Sequence, residues 1–298
     1  MKVVATIGMC VKNEETEVGV AIESLFDQDF PHEMMELIIV DGNSKDRTMD
    51  IIKNAIDEGD IDYKIIFESK GLGHARQIVV EKAKGNYIIW LDGDLKLSKD
   101  YVRQQVDFMD KNPNVGIAGG KYGIYPGSLV ATLENLAYVV DSYRWSNKEL
   151  PRLPPTEGSI VRVSAIRQVT GFDEQIKGAG EDIDVAYKIK KKGWLFYMTQ
   201  AIFYEACEET WKDLWDQYYW WGYGGHYLFH KDKRINPVYE MVPPAGFYAG
   251  LIRSSTSYRI TLKKISFILP IHGAFKRSAW FFGFLKSHLD GYGHKLSS

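Results

Sequence analysis

Short β-branched runs alternate with helix-length segments through the first half of this chain, and no other feature restricts its fold as strongly. Runs at residues 3–11, 37–40, 64–68, 87–91 and 115–118 are rich in Ile and Val and nearly continuous in apolar character. That is the pattern of strands buried on both faces of a parallel sheet. Helix-like stretches at about 15–28, 46–57 and 73–84 separate the runs. Turn chemistry such as Asp41-Gly42-Asn43-Ser44 and Lys84-Gly85-Asn86 closes them. This spacing predicts right-handed βαβ units in an α/β fold, a Rossmann-like, mostly parallel sheet flanked by helices.

The chain has 298 residues, 45% of them hydrophobic, enough for one large α/β domain with a C-terminal appendage. A formal net charge of −2 argues against nucleic acid as a partner of the whole surface. Only two cysteines, Cys10 and Cys207, are present, so neither a disulfide framework nor a cysteine-based zinc site is expected. The first residues run directly into strand-like sequence without a signal-peptide pattern, and no window approaches the ~20 apolar residues of a membrane span. A cytoplasmic setting, peripheral at the cytoplasmic face of the membrane if the tail touches lipid, is the expectation. Among the seven histidines no pair shows a convincing metal-ligand spacing.

In open parallel sheets ligands bind beyond the C-terminal ends of the strands, and polar residues stand at each such end here. Strand 1 runs into Lys12-Asn13-Glu14, strand 2 into Asp41, strand 3 into Lys70-Gly71-Leu72-Gly73, and strand 4 into Asp92-Gly93-Asp94. Two carboxylates as close as Asp92 and Asp94 repel unless positive charge is shared between them. A hard divalent cation, Mn²⁺ or Mg²⁺, supplies that charge and neutralises a departing diphosphate. Asp-Gly-Asp is also ordinary turn sequence, and its place after a fourth parallel strand favours the functional reading. Glu181-Asp182 follows Gly178-Ala179-Gly180 at the start of a helical stretch. It reads either as acids stabilising a helix N-terminus or as a general base. Gly71-Leu72-Gly73-His74-Ala75-Arg76 has Arg76 at the third glycine position of a dinucleotide turn, which argues against a nicotinamide cofactor.

Prolines 151, 154 and 155 break the middle of the chain before Thr156-Glu157-Gly158-Ser159 and a short strand at 160–163. A segment rich in Trp and Tyr follows at 211–227, read mainly as core. Beyond about 235, apolar runs at 241–252 and 265–275 are interrupted by Arg253, Arg259, Lys263, Lys264, Lys276 and Arg277. Two readings of this tail stand equal: an amphipathic helix at a membrane surface, or a helical extension packed on the main domain. The expected boundaries are a catalytic domain over 1–230 and the extension over 231–298.

Taken in order, several of these motifs resemble the inverting glycosyltransferase family 2, whose members have the GT-A fold. The resemblance covers roughly residues 3–230. It rests on Lys12-Asn13-Glu14-Glu15, on Ser24 to Pro31, and on Ile38-Ile39-Val40-Asp41-Gly42-Asn43-Ser44-Lys45-Asp46-Arg47-Thr48. It continues through Gly73-His74-Ala75-Arg76, Leu91-Asp92-Gly93-Asp94, Gly171-Phe172-Asp173-Glu174 and Gly180-Glu181-Asp182-Ile183-Asp184. The resemblance implies transfer from a nucleotide-sugar donor, a UDP- or GDP-sugar, to a glycan or lipid-linked acceptor. It implies donor contacts from Cys10, Lys12, Glu14, Asp41, Gly73, Arg76, Asp92 and Gly93, with the metal on Asp94, Asp92 and Glu205. Asp182 is implied as the catalytic base, with Glu181 beside it. At Gln217-Tyr218-Tyr219-Trp220-Trp221 the chain has Trp220 where the family's processive synthases carry arginine, which argues against a polymerising enzyme. Glu205 stands where many relatives have histidine. The competing classes are a nucleotidyltransferase, a haloacid-dehalogenase-type phosphatase and a non-catalytic sugar- or membrane-binding module.

Overall fold

A computed structural model describes residues 2–57, 59–151, 156–176, 179–235 and 237–294; Pro154, Pro155 and Gly178 lie outside the described residues. The strands are β1 (Ala5–Val11), β2 (Met35–Asp41), β3 (Asp62–Phe67), β4 (Tyr87–Trp90), β5 (Leu95–Leu97), β6 (Val115–Tyr122), β7 (Lys148–Glu149), β8 (Ile160–Arg162) and β9 (Leu195–Glu205). They form a 9-stranded sheet in the order β3-β2-β1-β4-β8-β6-β9-β5, with β7 on the flank of β9. The helices are α1 (Val18–Phe26), α2 (Thr48–Asp57), α3 (Leu72–Lys82), α4 (Tyr101–Lys111), α5 (Leu129–Trp145), α6 (Val163–Gln168), α7 (Glu181–Lys191), α8 (Trp211–Lys231), α9 (Pro243–Thr261) and α10 (Leu269–Leu289).

The α/β class read from the alternation is therefore the class observed. From β3 through β2, β1 and β4 every pairing is parallel. Beyond β4 the sheet is mixed: β8 runs antiparallel to both β4 and β6, while β6 and β9 are parallel. Continuous burial accounts for β1, β2 and β4, whereas the edge strand β3 is largely exposed, unlike the strand buried on both faces expected there. Every residue of β2 is buried, and Ile7, Met9, Leu37, Ile38, Ile39 and Val40 are inaccessible to solvent. Glu36 is buried too, at the N-terminal edge of β2, where it accepts hydrogen bonds from Thr6 Oγ1 at 2.7 Å and the Lys84 amide at 2.6 Å. Those bonds satisfy a carboxylate that would otherwise be costly to bury, and they tie β1, β2 and the entry to β4 at the edge away from the strands' C-terminal ends.

The chain divides into two compact units, each assembled from three segments. One comprises Met1–Gly123, Trp145–Glu174 and Val185–Glu205, and holds the sheet. The other comprises Ile124–Arg144, Gln175–Asp184 and Ala206–Ser298, and is helical. In the helical unit α10 packs against both α8 and α9. Its core includes Val130, Leu214, Tyr218 and Ala279, with Trp215, Trp221 and Phe275 against them, so much of the aromatic segment is core as expected. Glu134 is buried at the centre, salt-bridged to Lys276 at 2.6 Å and accepting from the Tyr218 hydroxyl at 2.6 Å. Despite burial, which raises it, the charges of Lys276 and His272 hold this carboxyl down to about 2.

The helices of this unit touch at their backbones. A methyl group at Gly222 would stand 1.9 Å from the Trp280 carbonyl oxygen, and one at Gly283 1.9 Å from the Tyr219 carbonyl oxygen. Gly246 and Gly273 meet in the same way between α9 and α10. Because the obstruction is main chain, no rotamer change relieves it. We expect Gly283→Ala to lower stability by at least about 1–3 kcal/mol, read as a shift in the urea midpoint at unchanged slope.

Candidate active site at the strand ends

The parallel register delivers the ends of β1, β2 and β4 to one edge. Val11 pairs with Asp41, and Gly8 with Trp90, so the residues that follow emerge side by side. The two loops beyond β1 and β2 are laced together. The Asn13 amide donates to Ser44 Oγ at 3.0 Å, Asn13 Oδ1 accepts from the Lys45 amide at 2.8 Å, and the Glu14 amide donates to Thr48 Oγ1 at 2.7 Å. Asn13 and Asn43 both adopt positive φ, a conformation asparagine tolerates better than most residues. Of the expected donor contacts on these loops, Cys10 is half-buried against the core, and Lys12 is exposed with its aliphatic stem against Gly42. Asp41 is buried, and its carboxylate accepts from the Ser44 hydroxyl at 2.5 Å and the Ser44 amide at 3.1 Å. That bonding fixes the turn.

The third loop is organised by a residue the sequence reading passed over. Glu68, just after β3, accepts from the amides of Lys70 at 2.8 Å and Gly71 at 3.2 Å and contacts His74 Nδ1 at 3.0 Å. Its carboxylate thus neutralises open donors at the start of α3. Gly71, at φ +121°, lets the chain turn into that helix, and Gly73 is buried in its first turn. One turn on, Arg76 is buried beneath the edge. Its guanidinium lies 5.7 Å from the centre of the Trp90 ring and donates to Asp92 Oδ1 at 3.5 Å. Arg76 therefore meets the first carboxylate of the Asp92-Gly93-Asp94 turn and orients it.

The second carboxylate sits among like charges. Burial and then the negative charges of Asp92, Glu14 and Glu157 push the Asp94 carboxyl well above the usual carboxylate range. Gly93 is what admits Glu14 to this group, since a side chain at 93 would stand 3.1 Å from Glu14 Cβ. Glu157, which sequence analysis did not single out, arrives on the loop entering β8; the Trp90 amide donates to the Ser159 carbonyl at 3.0 Å. An acidic residue three positions before a predicted strand was the signal available. Glu205 ends β9 and pairs in register with Leu95, the residue after Asp94. Glu14, Asp92, Asp94 and Glu157 thus make an oxygen-rich, mutually repelling set. The donors are hard, and a divalent cation relieves their repulsion, so they fit Mg²⁺ or Mn²⁺.

Glu181 and Asp182 open α7 and belong to the helical unit. Glu181 and Asp184 are buried, and Asp184 forms a salt bridge with Lys231 at 2.8 Å. Asp182 is the partly exposed acid of the three. Gly180 takes φ +109° and packs under Leu228, where a methyl group would come within 2.6 Å of Leu228 Cδ1. Among the described residues no helix is long and apolar enough to cross a membrane.

Comparisons with known proteins identify the family and the fold. The model of the family described as "Glycosyl transferase family 2" matches residues 6–168, more than half of the chain. A probable glycosyltransferase, YdaM of Bacillus subtilis, is 23% identical over 273 residues, covering 84% of this chain and 64% of that protein. The chain spans between about half and two thirds of the length of the first curated relatives it matches. Among solved structures, the mannosyltransferase PcManGT from Pyrobaculum calidifontis in complex with GDP-Man and Mn²⁺ superposes with a TM-score of 0.67 at 15% identity, over 97% of this chain and 88% of that one. TarS residues 1–349 from S. aureus, in complex with UDP-GlcNAc, gives a TM-score of 0.53 at 15% identity, over 97% and 92% of the two chains. At these identities the structural likeness establishes the fold, GT-A.

Proposed function

This chain belongs to glycosyl transferase family 2 and is a glycosyltransferase, and from that premise we propose that it moves a sugar from a UDP- or GDP-sugar to an acceptor hydroxyl or phosphate, inverting the anomeric carbon. The observation that carries the reading is the acidic cluster at the strand ends, where Asp94 is held among Asp92, Glu14 and Glu157. The donor classes are those of structural neighbours captured with GDP-Man and UDP-GlcNAc. Asp94 and Asp92, with Glu205 beside them in register, would hold the cation. When bound, it supplies positive charge that neutralises the departing diphosphate.

The chain's own residues do the rest. Cys10, Lys12, Glu14 and Asp41 line the donor side, with Glu14 and Asp41 on the nucleoside. Gly73 lets the start of α3 come close to base and ribose, and Gly93 keeps the strand-end turn open. Arg76 restrains Asp92, which faces ribose and phosphate. Asp182 takes the proton of the acceptor hydroxyl as its oxygen attacks the anomeric carbon opposite the leaving group, and a single displacement of this kind inverts configuration. Glu181, beside it, helps to hold the start of α7. The burial of Glu181 and the Asp184–Lys231 salt bridge support Asp182 as the base, because they leave it the more accessible acid of the motif.

A lipid-linked acceptor and a peripheral position at the cytoplasmic face of a membrane complete the proposal. Phe247, Tyr248, Leu251 and Ile252 are exposed along α9, Leu262 is exposed after it, and Lys263 and Lys264 follow. Apolar side chains next to basic ones suit an anionic lipid surface.

Three measurements test these assignments. Thermal shift with UDP, GDP and their sugar conjugates should show stabilisation by one nucleotide class that requires Mn²⁺ or Mg²⁺ and disappears in Asp94→Ala; silence with every nucleoside diphosphate defeats the reading. Asp182→Asn should bind donor as the native protein does while turnover falls at least ~10²-fold, and full turnover would reassign the base. Replacing Phe247 and Leu251 together by Glu should abolish co-sedimentation with phosphatidylglycerol vesicles, whereas undiminished co-sedimentation removes α9 from the membrane.

A further inference from the structure

Far from the strand-end acids in sequence, the helical unit gathers four imidazoles. His226 and His230 lie one turn apart on α8, His288 is near the end of α10, and His294 follows that helix. One ligand-type nitrogen from each lies within 4.8 Å of all the others. Three contacts link them in series. His230 Nε2 to His226 Nε2, His226 Nε2 to His288 Nδ1, and His288 Nδ1 to His294 Nε2 are each 3.2 Å.

Hydrogen bonding among neutral imidazoles does not account for this arrangement. Nδ1 of His226 donates to the Tyr292 carbonyl at 2.6 Å, so the proton sits on that nitrogen and Nε2 presents a lone pair to the cluster. The contact between His226 and His288 then requires a proton on His288 Nδ1. With that proton in place, the same atom has no lone pair for His294. One proton per contact thus satisfies at most two of the three contacts. Four lone pairs converging on a metal ion satisfy every ring at once. At ordinary Zn–N lengths of 2.0–2.1 Å, tetrahedral nitrogens stand about 3.3–3.4 Å apart; three of the pairs here are at 3.2 Å and the others lie within 4.8 Å.

The surroundings are built to hold these rings. A backbone carbonyl that takes the second nitrogen of a ligating histidine fixes its tautomer and its direction, and Tyr292 does this for His226. The Tyr292 ring stacks on Tyr223 and packs on Tyr227, with centroids 5.5 Å and 5.0 Å away. The Tyr292 amide bonds the Ser287 carbonyl at 3.1 Å, and the turn bringing His294 back uses Gly291 and Gly293 at φ +72° and +89°. Phe284 closes one side of His226. His288 and His294 are exposed, which gives an ion a way in.

We propose that His226, His230, His288 and His294 bind one borderline transition-metal ion, Zn²⁺ in the first instance, in a closed four-nitrogen site that clamps the end of α10 and its following turn to α8. Four protein ligands leave no open position for substrate, so the site is structural. Its nitrogen donors also separate it from the oxygen-lined strand ends, which suit a harder ion. The sequence carried only a partial signal, the i, i+4 pair His226 and His230, because His288 and His294 join them through the packing of α10 on α8.

The test uses the full chain, stripped with a chelator and titrated with Zn²⁺ or Co²⁺ alone. One equivalent should bind and raise the melting temperature, with Co²⁺ giving the intense visible absorption of a tetrahedral site. Affinity should fall at least tenfold in His294→Ala and in His288→Ala, two exposed positions that the fold tolerates, and should be unchanged in Asp94→Ala. Absence of binding, binding that survives both histidine substitutions, or binding lost in Asp94→Ala overturns the site.

Discussion

Strand β1 is the constraint from which the arrangement of this protein follows. It is hydrogen-bonded in parallel on both sides, to β2 and to β4, and its middle is closed to solvent. Gly8 makes the second pairing tight, since any side chain there would strike Trp90 and Val79 at 2.8 Å. Once these three strands share a direction and a register, the loops leaving them share an edge. Glu14, Asp41 and Asp92 then become neighbours although their sequence positions are far apart. The polar anchoring of Glu36 at the opposite edge fixes the same register from the other end.

Two acidic groups in the molecule show what such placement costs and permits. Glu134 is buried with a lysine and a tyrosyl hydroxyl supplied by its own unit, and its carboxyl is held down to about 2. Asp94 faces carboxylates and is pushed upward. The first carboxylate is complete within the protein and serves the packing of α5, α8 and α10. The second has no such partner among the causes that set its charge, and positive charge brought from outside would stabilise it, which is why the proposed cation is placed there. Arg76 does not cancel this imbalance, because its guanidinium is already committed to Asp92 and to the face of Trp90.

What was legible in the sequence follows the range of the interactions. The strands β1, β2 and β4 were visible as Ile- and Val-rich runs because burial on both faces leaves a local signature, and they lie within the predicted runs or a residue or two of them. The Asp92-Gly93-Asp94 turn was visible for the same reason. The mixed half was not. The β8 pairings depend on partners some 40 to 75 residues earlier in the chain, and a three-residue strand carries almost no periodicity of its own. Glu157 and Glu68 escaped notice because their roles are set by what they face in space. In the tail, the apolar runs at 241–252 and 265–275 correspond to parts of two longer helices, α9 and α10. Gly246, Gly250, Gly273 and Gly283, which lie in these helices, are where the helices meet.

That mode of packing has a mechanical consequence. Helices separated by long side chains can ratchet, because the side chains swing between rotamers and let one axis slide or roll past the next. Where α10 touches α8 and α9 the neighbours are glycine and main chain, and such contacts have no alternative seating. A translation by one turn would bring Cβ atoms against the carbonyls of Trp280, Tyr219 and Gly246. At Gly222, Gly283, Gly246 and Gly273 the three helices therefore interlock through main chain, and a one-turn slip of α10 would have to pass through backbone rather than around side chains.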